Sequence, residues 1–166
     1  MGYSHLYRLL APVRDRMPEI ASTFREALKM MPDTANSLRD PSGICAPIIT
    51  DEGIWFNGDA GRGEDYEEFH IASDCPVGRN CYCKTGRRPY DLAVCLCLIV
   101  LKDALRDDFK FRSDGVFLTH RRKDGSIAIA EENWIHARFA YDRYCRSSGK
   151  EVPDYCSWGI DNREEY

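Results

Sequence analysis

The stretch 81-CYCKTGRRPYDLAVCLCLIVL-101 decides how this chain folds. Its second half, Leu92 to Leu101, is a continuous run of ten apolar residues with no polar side to turn toward water. Pro89 suits the first turn of a helix, where its missing N–H group is not needed. The negative charge of Asp91 in the same turn interacts favourably with the positive end of the helix dipole. We therefore predict a helix from Pro89 to about Arg106 that is buried on all sides at the centre of the fold.

The size and charge of the chain are typical of one globular domain. With 166 residues it can bury a core, since a domain of about 150 residues buries roughly 70% of the surface of its unfolded chain. The 27 acidic and 23 basic residues give a net charge of −4 and are mixed along the sequence. This balance argues against direct nucleic-acid binding, for which a basic stripe is typical.

Two further features indicate a cytoplasmic protein. The run Leu92 to Leu101 is half the length that a membrane-spanning helix requires, and the N-terminus lacks a basic region followed by an apolar region and a cleavage site. Eight cysteines are present, but two of them lie inside the apolar run and no secretion signal precedes them, so reduced thiols are expected. We predict a cytoplasmic protein without a membrane partner.

The N-terminal part of the chain is predicted to be helical. Before Pro32 the apolar positions have helical spacing, with Ser4 as a helix cap and a break between Pro12 and Pro18. The longer helix should begin near Pro18, where proline suits a first helical position. The polar, proline-containing segment 32–43 should be a loop.

Strands are predicted on both sides of the apolar helix. They are 44–50, 54–58, 66–73, 109–115, 116–120 and 127–130. The first two flank Asp51-Glu52-Gly53 as a hairpin, and an Asp-Gly turn leads into the last of them as a second hairpin. Alternation in the third strand places Phe69 and Ile71 on one face. Residues 75–88 should form a loop.

A last helix is predicted at 130–147, ended by Gly149. Its apolar face comprises Trp134, Ala137, Tyr141 and Cys145, widened by Ile135, Phe139 and Ala140. Residues 154–158 should dock on the domain, and 161–166 should fray. The prediction is one α+β domain over 1–160, in which an antiparallel sheet of two hairpins plus a further strand packs against the central hydrophobic helix, with N- and C-terminal helices.

A zinc site and a cysteine nucleophile are two chemical alternatives for the quoted stretch. Cys75, Cys81 and Cys83 have the spacing C-x₅-C-x-C, which lacks the paired C-x₂-C ligands of structural zinc sites. Cys83 stands beside Lys84 near a helix start, which would lower its pKa if it were exposed, but no catalytic signature containing histidine accompanies it. We predict no catalytic residue, no metal and no other cofactor, and a metal assay on purified protein tests for zinc.

Anion binding agrees better with the residue types of this stretch than metal binding or nucleophilic catalysis does. Polar residues directly precede the helix start, where free N–H groups and the helix dipole attract negative charge: Lys84, Thr85, Arg87 and Arg88. Their order differs from that of a phosphate-binding loop, and a solvated basic loop paired with acidic residues of 64–68 explains them equally well. Together with Tyr90 and Asp91 they form the first predicted contact surface.

An acidic loop at 59–68 forms the second predicted contact surface. Its candidate residues are Asp59, Glu64, Asp65 and Glu68. Such a loop could meet the basic surface of a protein that handles nucleic acid. The two glycines between the first of these acids and the second suit a surface turn, whereas the carboxylates would repel phosphate.

Parts of the chain resemble a group of uncharacterised proteins encoded by bacteriophages and prophages, over roughly residues 44–115. The likeness lies in an aromatic-Asn-Gly stretch, a Cys-Lys-Thr-x-Arg-x-Pro-Tyr-Asp segment and a Ser-Asp-Gly turn. The residues that carry it are Asn57, Gly58, Cys83, Lys84, Thr85, Arg87, Pro89, Tyr90, Asp91, Ser113, Asp114 and Gly115. Gly86 departs from the alanine of that pattern and loosens the turn. The motif can itself be structural, with Tyr90 and Asp91 at the helix start and the Ser-Asp-Gly turn leading the chain away.

The resemblance implies a phage accessory protein and brings no catalytic residues with it. Phage proteins of this size often bind a host protein, including components of host defence such as CRISPR systems. We therefore expect a non-enzymatic protein in the cytoplasm of a bacterial host that binds a host protein or protein complex, for example as an anti-CRISPR. The alternative is a small anion- or nucleotide-binding module or enzyme that uses the helix N-terminus near Pro89. The partner and the oligomeric state stay open.

Overall fold

The protein contains four α-helices and eight short strands in the computed structural model, which describes residues 2–161. The helices are α1 (Met17–Leu28), α2 (Pro32–Ser37), α3 (Asp91–Leu105) and α4 (Glu132–Ser147). The strands are β1 (Ser4–Leu9), β2 (Ile48–Thr50), β3 (Gly53–Phe56), β4 (Phe69–Ala72), β5 (Cys81–Lys84), β6 (Phe109–Ser113), β7 (His120–Arg121) and β8 (Ile127–Ala128).

Helix α3 lies at the centre of the fold, as the sequence predicts. Every residue from Ala93 to Lys102 is buried, and α1, α4 and β6 contact the helix. Because apolar side chains surround the helix, polar groups here require internal partners. The ammonium of Lys102 finds them at the C-terminal end, where it donates to the carbonyls of Arg106 and Phe109 at 2.9 Å each.

The strands form three antiparallel sheets. β5-β1-β6 is the first, β2-β3-β4 the second, and the β7-β8 hairpin the third. The α+β class, with antiparallel sheets packed against helices, is therefore confirmed. The hairpin about Asp51-Glu52-Gly53 and the third strand of its sheet are confirmed, with Phe69 and Ile71 buried on one face. Of the predicted strand at 116–120, only His120 belongs to a strand, β7.

Three N-terminal and central predictions are wrong. Ser4–Leu9 is the middle strand of its sheet and not a helix, because His5, Tyr7 and Leu9 point inward at a spacing of two. Cys81–Lys84, predicted as loop, is a strand with the same alternation. Pro32–Ser37, also predicted as loop, is a short helix that begins with proline. The longer N-terminal helix is confirmed, with Pro18 in its first turn.

The C-terminal part follows the prediction except at two positions. α4 buries Trp134, and the segment Tyr155–Trp158 docks on Phe117 through stacked and edge-on ring contacts. Phe139, predicted on the apolar face, is 60% exposed. Asp161 does not fray: its carboxylate accepts the backbone N–H groups of Phe117 and Leu118, each at 3.0 Å. The rest of the predicted frayed tail, 162–166, lies outside the described residues.

No helix within residues 2–161 has both the length and the apolar character needed to cross a membrane.

Candidate functional site

Some residues of the first predicted contact surface are exposed, and others are buried inside the protein. Arg87 and Arg88 are exposed and Lys84 is half-buried, so these cations can meet a partner. Three other members of that surface are completely enclosed: Thr85, Tyr90 and Asp91. Their prediction as partner contacts is corrected, because side chains without solvent exposure hold the fold together and touch nothing outside it.

Asp91 is the hub of a buried polar cluster that joins four segments of the chain. Its Oδ1 accepts the Thr85 hydroxyl at 2.6 Å and faces His5 Nε2 at 2.7 Å. Its Oδ2 accepts the side-chain amide of Asn133 at 2.8 Å and the Cys95 thiol at 3.7 Å. The cluster therefore ties β1, the turn before α3, α3 itself and α4 together around one carboxylate.

The electrostatics of this cluster favour an ionised Asp91. Burial alone raises the pKa of the Asp91 carboxyl, but the hydrogen bond and charge of His5, with hydrogen bonds from Thr85 and Asn133, outweigh it and hold that pKa below its usual value. His5 Nδ1, on the other side of the ring, is buried without a hydrogen-bond partner among the described residues. The rings of Tyr3 and Trp134 pack edge-on against the imidazole instead.

The same cluster is the one candidate metal group among the described residues. Ligand atoms of His5, Asp91 and Cys95 lie within 4.8 Å of one another. Both oxygens of Asp91 already accept hydrogen bonds, so a cation would have to displace at least two donors to reach the carboxylate. The Asp91 carboxylate is thus fully engaged by hydrogen bonds within the protein, and we assign the cluster a structural role.

The thiol of Cys83 does not have the lowered pKa that its neighbours suggested. The side chain is fully buried on the inner face of β5, and burial, followed by the nearby carboxylates of Asp91 and Glu67, raises its pKa. Burial and the neighbouring Cys81 likewise raise the pKa of Cys75, to about 11. Because the thiolate is the nucleophile, a raised pKa disfavours a nucleophilic role for both cysteines at neutral pH.

The start of α3 is also closed to an anion. The backbone N–H of Asp91 donates to the carbonyl of Arg88 at 2.9 Å, and those of Ala93 and Val94 donate to the carbonyl of Tyr90. The buried carboxylate of Asp91 occupies this end of the helix and would repel a phosphate. The charge at the helix start near Pro89 is therefore unfavourable for an anion, and three of its N–H groups are already engaged.

The exposed part of the basic turn is held by contacts across the surface. Gly86 and Arg87 both have left-handed backbone, with φ of 56° and 58°. The Arg87 guanidinium lies 4.4 Å from the centre of the Tyr3 ring and donates to Glu131 at 2.6 Å and 3.0 Å. The sequence suggests a carboxylate of 64–68 as the partner of this turn. The partner of Arg87 is, however, Glu131, on the loop before α4. Glu67 instead accepts the backbone N–H of Lys84 at 2.8 Å.

Removing this turn's charges should leave the fold intact. We expect the double variant Lys84→Ala with Arg87→Ala to melt within about 4 °C of the wild-type protein, because an exposed ion pair contributes at most about 1 kcal/mol. Circular dichroism melting measures this, with Arg14→Gln as a control at another exposed cation. A loss of cooperative melting would contradict the surface role of the turn.

Two acidic residues of the predicted acidic loop form ion pairs within the protein. Asp59 pairs with Arg39 at 2.9 Å, and Glu64 pairs with Arg62 at 3.4 Å. The side chain of buried Asn57 bridges the loop by accepting the backbone N–H groups of Gly58 and Tyr66. Asp65 is half-buried and Glu68 is exposed. The acidic residues available to a partner are therefore fewer than the sequence indicates.

The outer face of the sheet β5-β1-β6 collects cations that lie far apart in sequence. Alternation points Tyr82 and Lys84 of β5, Leu6 and Arg8 of β1, and Lys110 and Arg112 of β6 away from the core. Register places Tyr82 and Arg112 on either side of Leu6, and Lys110 opposite Arg8. We call this surface the basic face; its cations are Arg8, Lys84, Lys110 and Arg112.

A cleft of about 780 Å³ runs between the basic face and the β7-β8 hairpin. Leu6, Tyr82 and Arg112 contribute its sheet side, and His120 and Ala128 belong to the hairpin. Its cationic lining residues are Arg112, Arg121, Arg122 and Lys123. Among the described residues that line it, Asp161 is the only carboxylate, and two backbone N–H groups already hold it. The described lining of the cleft is therefore mainly basic, although the protein has a net negative charge.

Sequence analysis missed the basic face and the cleft, although part of the signal was present. Alternation of buried and exposed types in Ser4–Leu9 and Cys81–Lys84 would have placed Tyr82 outward. The run Arg121-Arg122-Lys123 beside an Asp-Gly turn is a basic hairpin tip. That these segments share one surface depends on the order β5-β1-β6, which no local pattern contains.

No protein family, curated protein or solved structure matches this chain. The resemblance to phage and prophage proteins therefore stays a prediction. Several of its residues nevertheless make internal contacts, since Thr85 donates to Asp91, Asp114 accepts the backbone N–H of Ser4, and Gly115 lies against the Tyr3 hydroxyl. These contacts support a structural role for the segment that carries the resemblance.

Proposed function

We propose that this protein is a non-enzymatic binding protein that recognises a polyanionic macromolecule through the basic face and the adjoining cleft. The observation that carries the proposal is the gathering of four cationic side chains, Arg112, Arg121, Arg122 and Lys123, along that cleft. A local patch of one sign attracts an oppositely charged partner even when the net charge of the protein has the other sign.

The enclosure of Cys83, Cys95 and the His5–Asp91 pair favours binding over catalysis. Cys83 and Cys95 are enclosed, and burial raises the pKa of both thiols. The His5–Asp91 pair has no solvent exposure, so a substrate cannot reach the imidazole in this conformation. Catalysis requires a group within hydrogen-bond reach of a substrate, and these groups are held away from any surface.

The alternative function, an anion- or nucleotide-binding module at the helix start near Pro89, lacks support in the site geometry. The N–H groups of Asp91, Ala93 and Val94 are engaged there, and the Asp91 carboxylate is buried at the same place. The basic face supplies a different place for anion binding. On the resemblance alone, the partner belongs to a bacterial host and binding interferes with host defence, as an anti-CRISPR does.

Charge removal in the cleft tests this function. We expect Arg112→Gln with Lys123→Gln to weaken binding to inorganic polyphosphate and to mixed-sequence oligonucleotides, because each cation neutralises one phosphate. The slope of log affinity against log salt should fall by about 1 for each substitution. Fluorescence anisotropy at several salt concentrations, with fluorescently labelled probes, measures both effects.

A matched double variant controls for net charge. Arg14→Gln with Arg143→Gln removes two exposed cations that do not line the cleft, so its affinity should stay within about twofold of wild type. Equal weakening by the two double variants would mean that bulk charge, and not this surface, carries the binding. Failure of the wild-type protein to bind any of these polyanions would refute the proposed function.

A further inference from the structure

The exposed aromatic ring on the basic face indicates what kind of polyanion fits there. Tyr82 lies within β5 and is 59% exposed, although the residues on either side of it, Cys81 and Cys83, are buried. On β1 its cross-strand neighbour is Leu6, and beyond Leu6 lies Arg112 on β6. A ring, an apolar floor and a guanidinium therefore form one row across the sheet.

This row matches the requirements of a nucleobase next to its phosphate. Bases that are not paired in a duplex stack on exposed aromatic rings, and the phosphates beside them are neutralised by lysine and arginine. An antiparallel sheet face suits this arrangement because neighbouring strands lie about 4.8 Å apart, so a ring and a cation on different strands can contact adjacent parts of one extended nucleic-acid strand. Tyr82 and Arg112 are separated by two such spacings.

The cleft limits the ligand further. Its volume of about 780 Å³ is that of a pocket for a small ligand, and its walls are the sheet on one side and the β7-β8 hairpin on the other. A single strand with splayed bases can place one or two nucleotides in such a space. A duplex is about 20 Å wide with its bases stacked inside, so it could touch only the rim.

We infer that the basic face binds single-stranded nucleic acid, with one base stacked on Tyr82 and the flanking phosphates on Arg112 and the hairpin cations Arg121 and Lys123. This inference rests on the proposed function and names its ligand. The net charge of −4, which argued against nucleic acid at the level of sequence, is no obstacle because the cations are gathered on one face. An acidic protein surface would use the same cations but would gain nothing from the ring.

The test compares probes and variants in one fluorescence anisotropy assay. The probes are a labelled mixed-sequence 12-nucleotide single strand, as RNA and as DNA, the corresponding duplexes, inorganic polyphosphate and polyglutamate. The variants are Tyr82→Ala, Tyr82→Phe and Phe139→Ala. The last is the matched control, since Phe139 is an exposed aromatic residue of α4 that does not line the cleft. Circular dichroism melting establishes that each variant is folded.

We expect Tyr82→Ala to weaken single-strand binding roughly 5- to 150-fold, as loss of one stacked base does, and to leave polyphosphate binding within about twofold. Tyr82→Phe keeps the ring and should bind as wild type, as should Phe139→Ala. Unchanged single-strand binding by Tyr82→Ala, equal affinity for duplexes, or preference for polyglutamate would each overturn the inference. If polyphosphate still binds in those cases, the proposed function stands; if no polyanion binds, both fail.

Discussion

Leu96→Asp is expected to abolish the native fold. The Leu96 side chain lies in the middle of α3 and has no solvent exposure. A carboxylate there would be surrounded by apolar atoms of α1 and α4 without a cationic partner, and the cost of burying such a group exceeds several kcal/mol even after protonation. Domains of this size are stable by only about 5–15 kcal/mol, so the substitution consumes most or all of that margin.

Two further variants separate the effect of charge from other causes. Leu96→Ala should remain folded but lose about 2–5 kcal/mol, since it leaves a cavity and no unpaired charge. Phe139→Asp places the same charge on a helix at an exposed position and should melt close to wild type. Urea unfolding followed by circular dichroism measures all three. A Leu96→Asp protein that is monomeric and melts cooperatively near the wild-type temperature would show that α3 is not the centre of the core.

The sequence predicts α3 well because its signals agree with one another. Pro89, Asp91 and ten consecutive apolar residues all indicate a buried helix that starts at one place. The hairpin about Gly53 is equally well determined, since its turn and its flanking strands are adjacent in the chain. Local patterns of this kind need no knowledge of the rest of the fold.

The errors arise where a short segment is compatible with two periods. Ser4–Leu9 spans six residues, too few to separate a spacing of two from one of 3.6, and the helical pattern that follows it favoured a helix. Cys81–Lys84 is only four residues long, and the cationic residues that follow it favoured the prediction of a loop. Pairing with β1 supplies the hydrogen bonds that make β5 a strand, and this pairing joins residues almost eighty positions apart.

The candidate site depends on the same long-range order. Tyr82, Arg112 and Lys123 share a surface only because β1 lies between β5 and β6 and the hairpin folds over them. Residues predicted as contacts from their position before α3, such as Thr85 and Asp91, instead face inward to His5. A polar residue next to a buried helix can thus belong to a binding site or bond a partner inside the protein. For Asp91 the internal partner His5 lies far away in the sequence, so no local pattern indicates the pairing.

Asp91→Asn is expected to produce the second large loss of stability. Asp91 accepts hydrogen bonds from buried Thr85 and Cys95 and from half-buried Asn133, and it pairs with buried His5. An amide has one acceptor oxygen, so its NH₂ group would replace one of the two carboxylate oxygens, each of which takes part in two of these contacts. Breaking a buried pair by removal of one partner costs about 3–5 kcal/mol, because the other partner stays buried and unpaired.

Acid should reduce the difference between Asp91→Asn and the wild-type protein. The pKa of the Asp91 carboxyl is lowered in the folded state, so its contribution is complete at pH values above the unfolded carboxyl pKa of about 3.9 and is lost as the pH falls through the lower folded value. Urea unfolding at pH 7 should thus show the full loss of stability, and the gap should narrow below about pH 4. A destabilisation that stays constant from pH 7 to pH 3 would mean that the charge of Asp91 contributes nothing.

A matched carboxylate isolates the role of burial in this prediction. Asp124 also has a lowered pKa, caused first by the side-chain hydrogen bond of Ser126, but it lies on the exposed turn of the β7-β8 hairpin. Asp124→Asn should therefore melt close to wild type, since water replaces the lost contacts there. If the two substitutions destabilise the protein equally, the cluster around Asp91 does not hold β1, α3 and α4 together. If only Asp91→Asn destabilises it, the segment that precedes α3 is a structural clamp, and binding is left to the outer face of the sheet.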